Sequence, residues 1–380
     1  MWDVDGNEYI DFVSGLASIT LGYSDPDVDA AVKAQLEDGV IFSLAHPIEI
    51  QVAEKICEMV PCAEMVRFGK NGSDATAGAV RVARAFTGRD RIAVCGYHGW
   101  QDWYIGATAR NLGVPQAVRD LTHTFPYNDL DALSSLLKSH AGEFAAVMIE
   151  PMNVFEPNPG YLQSVKELVH KHGAVLIFDE TITGFRFANG GAQELFGVTP
   201  DLATFGKGLA NGYPLSAVAG RADIMAFMEE IFFSFTFGGE TLSLAASLAT
   251  MNKLQNCPVV ETLTRQGKTV INELRDLIKV NNSDDFLSVS GHPSWSFLLL
   301  TDTPKVTSWE LKSLYMQEML ARGILALGSH NINYAHTDDD VLKLTHAYSE
   351  VIPILVKALD PEYLHKQLRC EPLQPLFKVR

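Results

Sequence analysis

The alternation of short apolar runs with helical periodicity between about residues 64 and 250 constrains this chain more than any other feature. Val66-Arg67-Phe68, Arg91 to Cys95, Phe144 to Ile149, Val175 to Phe178 and Leu202 to Phe205 have the length of buried strands. Segments 74–87, 161–172 and 241–254 read as helices among them. Short apolar strands alternating with helices predict a parallel or mixed sheet covered on both faces. Upstream, 27–38 and 48–60 read as amphipathic helices. The second carries Ile48, Val52, Ile56 and Met59 at helical spacing and stops at Pro61.

After Pro258 the rhythm changes to fewer, longer elements. Helices are predicted over 260–280, 308–322 and 338–358, with strands at Ser296 to Leu300 and Ile324 to Leu327. This predicts a second, smaller α+β domain. The turn signal Asp5-Gly6-Asn7 predicts a short hairpin within 3–12, too small to stand alone. The expected division is a large domain over 44–257 and a small domain built from 1–43 with 258–380.

Charge and composition narrow the function. The 380 residues carry 30 basic and 46 acidic side chains, a formal net charge of −16. Such a surface repels phosphate backbones, so neither nucleic acid nor an anionic membrane is an expected partner. No apolar run approaches the roughly 18 residues of a membrane helix, and no signal peptide is read at the start. The five cysteines form no CxxC pair. They read as reduced thiols in the cytoplasm, and no metal site is expected.

Four stretches carry residues that packing alone does not require. Lys70-Asn71-Gly72-Ser73-Asp74-Ala75 follows a strand and opens a helix. Gly72 permits close backbone approach, Ser73 is a candidate N-cap, and free N–H groups at a helix start attract an anion. An ordinary capped helix would look the same. Tyr97-His98-Gly99-Trp100 lies just past a strand, where open α/β sheets bind ligands, and Tyr97 could stack on a planar group. Asp179 ends an apolar strand, and a buried carboxylate there needs a cation or N–H partner. It could equally cap a turn. Lys207 sits between Gly206 and Gly208 after another strand. A partly buried lysine has a lowered pKa and becomes a nucleophile able to form a Schiff base, although an exposed loop lysine is the plain alternative.

Together, an anion site, an aromatic, a buried carboxylate and an isolated amine match the needs of pyridoxal 5'-phosphate. Its phosphate needs N–H donors and its ring a stacking partner. The ring nitrogen needs a carboxylate to stay protonated, and the aldehyde needs a lysine. Further segments point the same way: Asp3-Val4-Asp5-Gly6, Arg81-Val82-Ala83-Arg84-Ala85, Glu150-Pro151, Thr183-Gly184-Phe185-Arg186 and Thr236-Phe237-Gly238-Gly239. In their order along the chain, these motifs resemble those of a fold-type I, class III pyridoxal-phosphate aminotransferase. Within that class the sequence is similar to the glutamate-1-semialdehyde 2,1-aminomutase branch.

The resemblance implies an α/β large domain with a mixed, mostly parallel seven-stranded sheet sandwiched by helices, plus the smaller α+β domain. It implies that Lys207 forms the Schiff base and shuttles a proton, and that Asp179 pairs with the ring nitrogen. Tyr97 would stack on one ring face and Thr181 pack on the other. Gly72 and Ser73 would donate to the phosphate, and Thr236 would reach the phosphate of a neighbouring subunit, giving a homodimer with shared sites. His98 is taken as cofactor-binding; Glu150 and Arg186 lie near the site by motif position. The partners would be a small-molecule amine and a carbonyl compound, with the cofactor alternating with pyridoxamine 5'-phosphate. An intramolecular aminomutase is the alternative, and a non-catalytic binding protein on the same fold a second one.

The sequence also departs from the branch it resembles. The chain starts inside a motif that family members reach after a longer segment, so an arm lining the substrate channel is expected to be missing. The segment Gly328 to Tyr334 is short and lacks the expected carboxylate. Its Ser329, His330, Asn331 and Asn333 suggest a polar or sugar-like substrate.

Overall fold

A computed structural model describes residues 1–374 and divides the chain into two compact units. Residues 24–258 form the larger unit, and residues 1–23 join residues 259–374 in the smaller. The helix Pro26–Asp38, expected in the small domain, packs on the helix Thr241–Asn256 of the larger unit. Its N-cap Asp25 accepts a 2.8 Å hydrogen bond from Lys253. Residues 375–380 of the expected 258–380 segment lie outside the described residues.

The first strand, β1 (Ile10–Asp11), belongs to the smaller unit. The larger unit is built on β2 (Met65–Gly69), β3 (Arg91–Cys95), β4 (Thr122–Thr124), β5 (Phe144–Ile149), β6 (Val175–Asp179), β7 (Leu202–Phe205) and β8 (Ser216–Gly220). They make one seven-stranded sheet in the order β2-β8-β7-β6-β5-β3-β4. Only β8 runs against the others, pairing antiparallel with both β2 and β7. This is the mostly parallel mixed sheet of a fold-type I α/β protein.

Side chains of the central strands alternate between two buried faces. Ile92, Val94, Met148, Val175 and Ile177 pack beneath the helix Gly72–Thr87 through Ala75, Ala79 and Val82. Ala93, Val147, Ile149, Leu176 and Phe178 pack on the other face. There they meet Leu133 and Leu137 of the helix Leu130–Ser139, and Val165 and Val169 of the helix Tyr161–Lys171. Burial on both faces is why these strands read as unbroken apolar runs.

In the smaller unit β9 (Leu287–His292), β10 (Trp295–Leu300) and β12 (Ser329–Asn331) form an antiparallel sheet. β11 (Ile324–Leu325) pairs in parallel with β1. The expected hairpin over 3–12 is reduced to one antiparallel bridge, Trp2 to Glu8, because the chain after Tyr9 turns to pair with β11. The polar segment expected to line a substrate site is engaged inside this unit. Fully buried His330 bonds Ser296 Oγ at 3.0 Å and the Tyr348 hydroxyl at 2.6 Å, and burial pushes its pKa down to about 4. The Asn331 and Asn333 amides donate to Val13 O and Ser14 Oγ.

Candidate active site

The sheet register sets the site. Pairing of Gly69 with Ser216, Ala217 with Phe205, Thr204 with Asp179, Phe178 with Ile149 and Ile149 with Cys95 aligns the carboxyl ends of β2, β7, β6, β5 and β3, with the start of antiparallel β8, along one edge. The four stretches singled out from sequence all leave the sheet at this edge. Ligands of open α/β sheets sit at the carboxyl ends of their strands.

Asp179 is the most constrained group there. One oxygen, Oδ2, lies 2.8 Å from Nδ1 of His98, and both side chains are buried. The other, Oδ1, accepts from the Thr181 backbone N–H at 3.1 Å, the Thr181 hydroxyl at 2.6 Å and the Thr204 hydroxyl at 3.1 Å. Burial opposes ionisation, but the hydrogen bonds from His98 and Thr181 outweigh it and hold the carboxyl below the ordinary carboxylate range. The group is therefore an anion at neutral pH. Behind it, His98 packs edge-on against Tyr104 with ring centroids 5.3 Å apart, and its Nε2 is buried without a hydrogen-bond partner among the described residues.

Lys207 opens a short 3-10 turn directly after β7 and Gly206. Its φ is +44°, a left-handed conformation unusual outside glycine. Such backbone persists where the surroundings over-determine it, and it is frequent at functional sites. No hydrogen bond or ion pair among the described residues engages its ammonium. Burial lowers its pKa below the ordinary 10.5, Asp179 and Glu150 oppose the shift, and Arg186 adds to it. Arg186 is fully buried, and burial alone brings its guanidinium down to about 10.

A buried lysine of this kind has a stability signature. While protonated in both states it destabilises the fold, and the penalty disappears above pH 10.5, where both states are neutral. The cofactor-free protein therefore gains stability as pH rises from the folded-state value towards 10.5. Lys207→Met is expected to raise the melting temperature of the cofactor-free protein at pH 7, with the advantage vanishing above about pH 10.5. An unchanged difference across that range, by calorimetry, would contradict the burial of a charged amine.

The anion turn differs in detail from expectation. Asn71, not Ser73, takes the N-cap position of the helix Gly72–Thr87. The extended Asn71 backbone (φ −117°) and the Asp74 carboxylate explain this, since Asp74 accepts from the N–H of Asn71 at 2.8 Å. Ser73 lies inside the first turn, where its hydroxyl accepts from the Trp100 N–H at 3.4 Å. Thr76 donates to His98 O at 2.9 Å, so the first turn and the Tyr97–Trp100 loop are tied together. Gly99 is required there: its φ is +102°, and a Cβ would collide with Ser73. A Cβ on Gly72 would lie 3.0 Å from Thr181 Cγ2, and one on Gly206 3.4 Å from the same methyl. Gly72, Thr181 and the Gly206–Lys207 turn thus converge.

Tyr97 is half exposed and packs edge-on against Tyr104 at 5.7 Å. Glu150, after β5, accepts from the Tyr97 N–H at 2.9 Å and from Asn153 at 2.8 Å, and burial raises its pKa. Thr236 is exposed in the segment before the helix Thr241–Asn256. No hydrogen bond among the described residues joins it to Asp179, Thr181 or Lys207. Sequence reasoning missed Tyr104, Asn153 and Thr204. Only Thr204 carried a signal, as a hydroxyl inside the otherwise apolar strand Leu202 to Phe205.

Comparison with known proteins identifies the family. The family profile Aminotransferase class-III matches residues 1–334. A 3-aminobutyryl-CoA aminotransferase of Cloacimonas acidaminovorans is 34% identical over 94% of this chain and 87% of its own length. A glutamate-1-semialdehyde 2,1-aminomutase of Syntrophobacter fumaroxidans is 36% identical, covering 85% of this chain and 80% of its own length. Among solved structures, the FumI protein of Sphingopyxis sp. MTA144, in its PLP internal aldimine form, superposes with a TM-score of 0.86. That match has 29% identity over 94% of this chain and 86% of that one. The chain belongs to the class-III aminotransferase family.

Proposed function

We propose that this enzyme is an aminotransferase that uses pyridoxal 5'-phosphate, held through Lys207, to move an amino group from an amine donor to a carbonyl acceptor. The observation that carries the reading is a partly buried Lys207, with no hydrogen bond or ion pair among the described residues, on the same sheet edge as an ionised, buried Asp179. The residues fit the cofactor. Gly72 and Gly206 leave room beside Thr181 that a Cβ would fill, and buried Asp179 has the charge a protonated ring nitrogen requires. Gly72 and Ser73 would meet the phosphate, with Tyr97 and Thr181 on the two ring faces and His98 supporting Asp179.

When bound, the cofactor supplies an aldehyde that condenses with amines and a ring that withdraws electrons from the substrate carbon. The chain does the rest. Asp179 keeps a proton on the ring nitrogen, and His98, Thr181 and Thr204 keep Asp179 ionised and oriented. Lys207, with its lowered pKa, takes a proton from the substrate carbon and returns it during transfer. Thr236 is exposed, as a residue reaching a partner's phosphate must be, and the working unit is taken as a homodimer with shared sites. The five free cysteines are consistent with a cytoplasmic enzyme, and no helix among the described residues is long and apolar enough to cross a membrane.

Similarity to a glutamate-1-semialdehyde 2,1-aminomutase favours one second reading, an intramolecular aminomutase using the same residues. Donor dependence separates the two. A transaminase consumes one equivalent of external amine per product, whereas a mutase once charged needs none. A panel of amine donors and carbonyl acceptors is expected to show stoichiometric donor consumption. Turnover of a single amino-carbonyl substrate without a donor would overturn the transaminase assignment.

A further inference from the structure

Lys70 lies outside the roles assigned above, yet its side chain bridges two of the elements involved. Its Nζ is 3.0 Å from Glu240 Oε2, and both side chains are about 85% shielded from solvent, with relative exposures of 16% and 14%. It also lies 3.4 Å from Ser243 Oγ. The Lys70 backbone is fixed by the same Asp74 carboxylate that fixes Asn71, at 3.3 Å. Lys70 is therefore rigidly joined to the Gly72–Ser73 turn.

At the other end, Glu240 caps the helix Thr241–Asn256, accepting from the N–H groups of Leu242 and Ser243 and from the Ser243 hydroxyl. Burial opposes its ionisation, but hydrogen bonds from Ser243 and Lys70 hold the carboxyl below its ordinary range. Glu240 follows the exposed segment that carries Thr236 after Gly238 and Gly239, and its own N–H donates to Phe237 O at 3.2 Å. One ion pair thus links the turn that would meet a phosphate in this subunit to the segment that would meet the phosphate of a second copy.

We propose that the Lys70–Glu240 pair is a positioning link that holds the Gly72–Ser73 turn, which would meet the phosphate in this subunit, in register with the Thr236 segment, which would meet the phosphate of a second copy. The inference rests on the assignment of those elements to the phosphate in the preceding subsection. Neither Lys70 nor Glu240 touches the cofactor in this account; both act through the residues they hold.

The test titrates cofactor-stripped protein with pyridoxal 5'-phosphate and, separately, with pyridoxal, which lacks the phosphate, following the visible absorbance. Lys70→Met, Glu240→Gln and the double variant are each expected to weaken pyridoxal 5'-phosphate binding about tenfold while leaving pyridoxal binding unchanged, the size of one charge-assisted hydrogen bond. The double variant should lose no more than the worse single one, since both remove the same link. Lys70→Arg keeps the charge and should retain most of the affinity. Equal losses for both ligands would make the pair merely structural. A loss confined to Lys70→Met would mean that Lys70 meets the phosphate directly. Unchanged affinities in variants with native circular dichroism would also overturn the proposal. Should Lys70→Met fail to fold, Glu240→Gln carries the comparison alone. Wild-type protein that binds pyridoxal 5'-phosphate no better than pyridoxal would instead refute the phosphate assignment itself.

Discussion

Asp179→Asn is expected to slow the amine half-reaction by two to three orders of magnitude with little change in fold. Removing one member of a buried charge pair typically costs about 3–5 kcal/mol, and about 1.4 kcal/mol is tenfold in rate. The asparagine has the same shape: its Oδ1 can still accept from Thr181 and Thr204, and its amide nitrogen can donate to His98 Nδ1 in the other tautomer, so the local frame is kept. What disappears is the negative charge that keeps a proton on the ring nitrogen. Single-turnover absorbance with a good amine donor measures the effect. A rate within a few-fold of wild type would remove Asp179 from the mechanism and leave it as a turn cap.

Lys207→Ala is expected to lower turnover by at least about 10⁴-fold, because one amine both holds the cofactor and moves the proton. The loss should appear in kcat rather than KM, since substrate contacts are not removed. Added methylamine should restore part of the proton transfer, which a merely misfolded variant would not show. Wild-type turnover by the alanine variant would exclude the lysine from the chemistry.

Much of the large domain was legible because its strands are buried on both faces. Phe144 to Ile149 and Leu202 to Phe205 are wholly apolar or nearly so, and both are strands over those residues. β8, Ser-Ala-Val-Ala-Gly, was not recognised: its residues are small, and its extended state comes from pairing with β2 and β7. β4, Thr-His-Thr, is held by β3 alone at the sheet edge. The helix Pro26–Asp38 was assigned by sequence position, whereas its attachment depends on contacts more than 200 residues away, such as Lys253 to Asp25.

In the candidate site, Asp179 and Lys207 stood out because each interrupts a pattern, a charge ending an apolar strand and a lysine between glycines. Their supporting contacts did not. The pairing of His98 with Asp179 spans 81 residues, and that of Asn153 with Glu150 depends on a loop turning back on itself. The polar residues His330, Asn331 and Asn333 suggested a substrate wall, but a side chain's type does not reveal whether it faces a ligand or its own core.

Borohydride reduction of the wild-type protein loaded with pyridoxal 5'-phosphate, followed by peptide mapping, tests the central claim most directly. The account predicts a single stable adduct on Lys207, absent from Lys207→Ala. An adduct on any other lysine, or no adduct in protein that binds the cofactor, would contradict it.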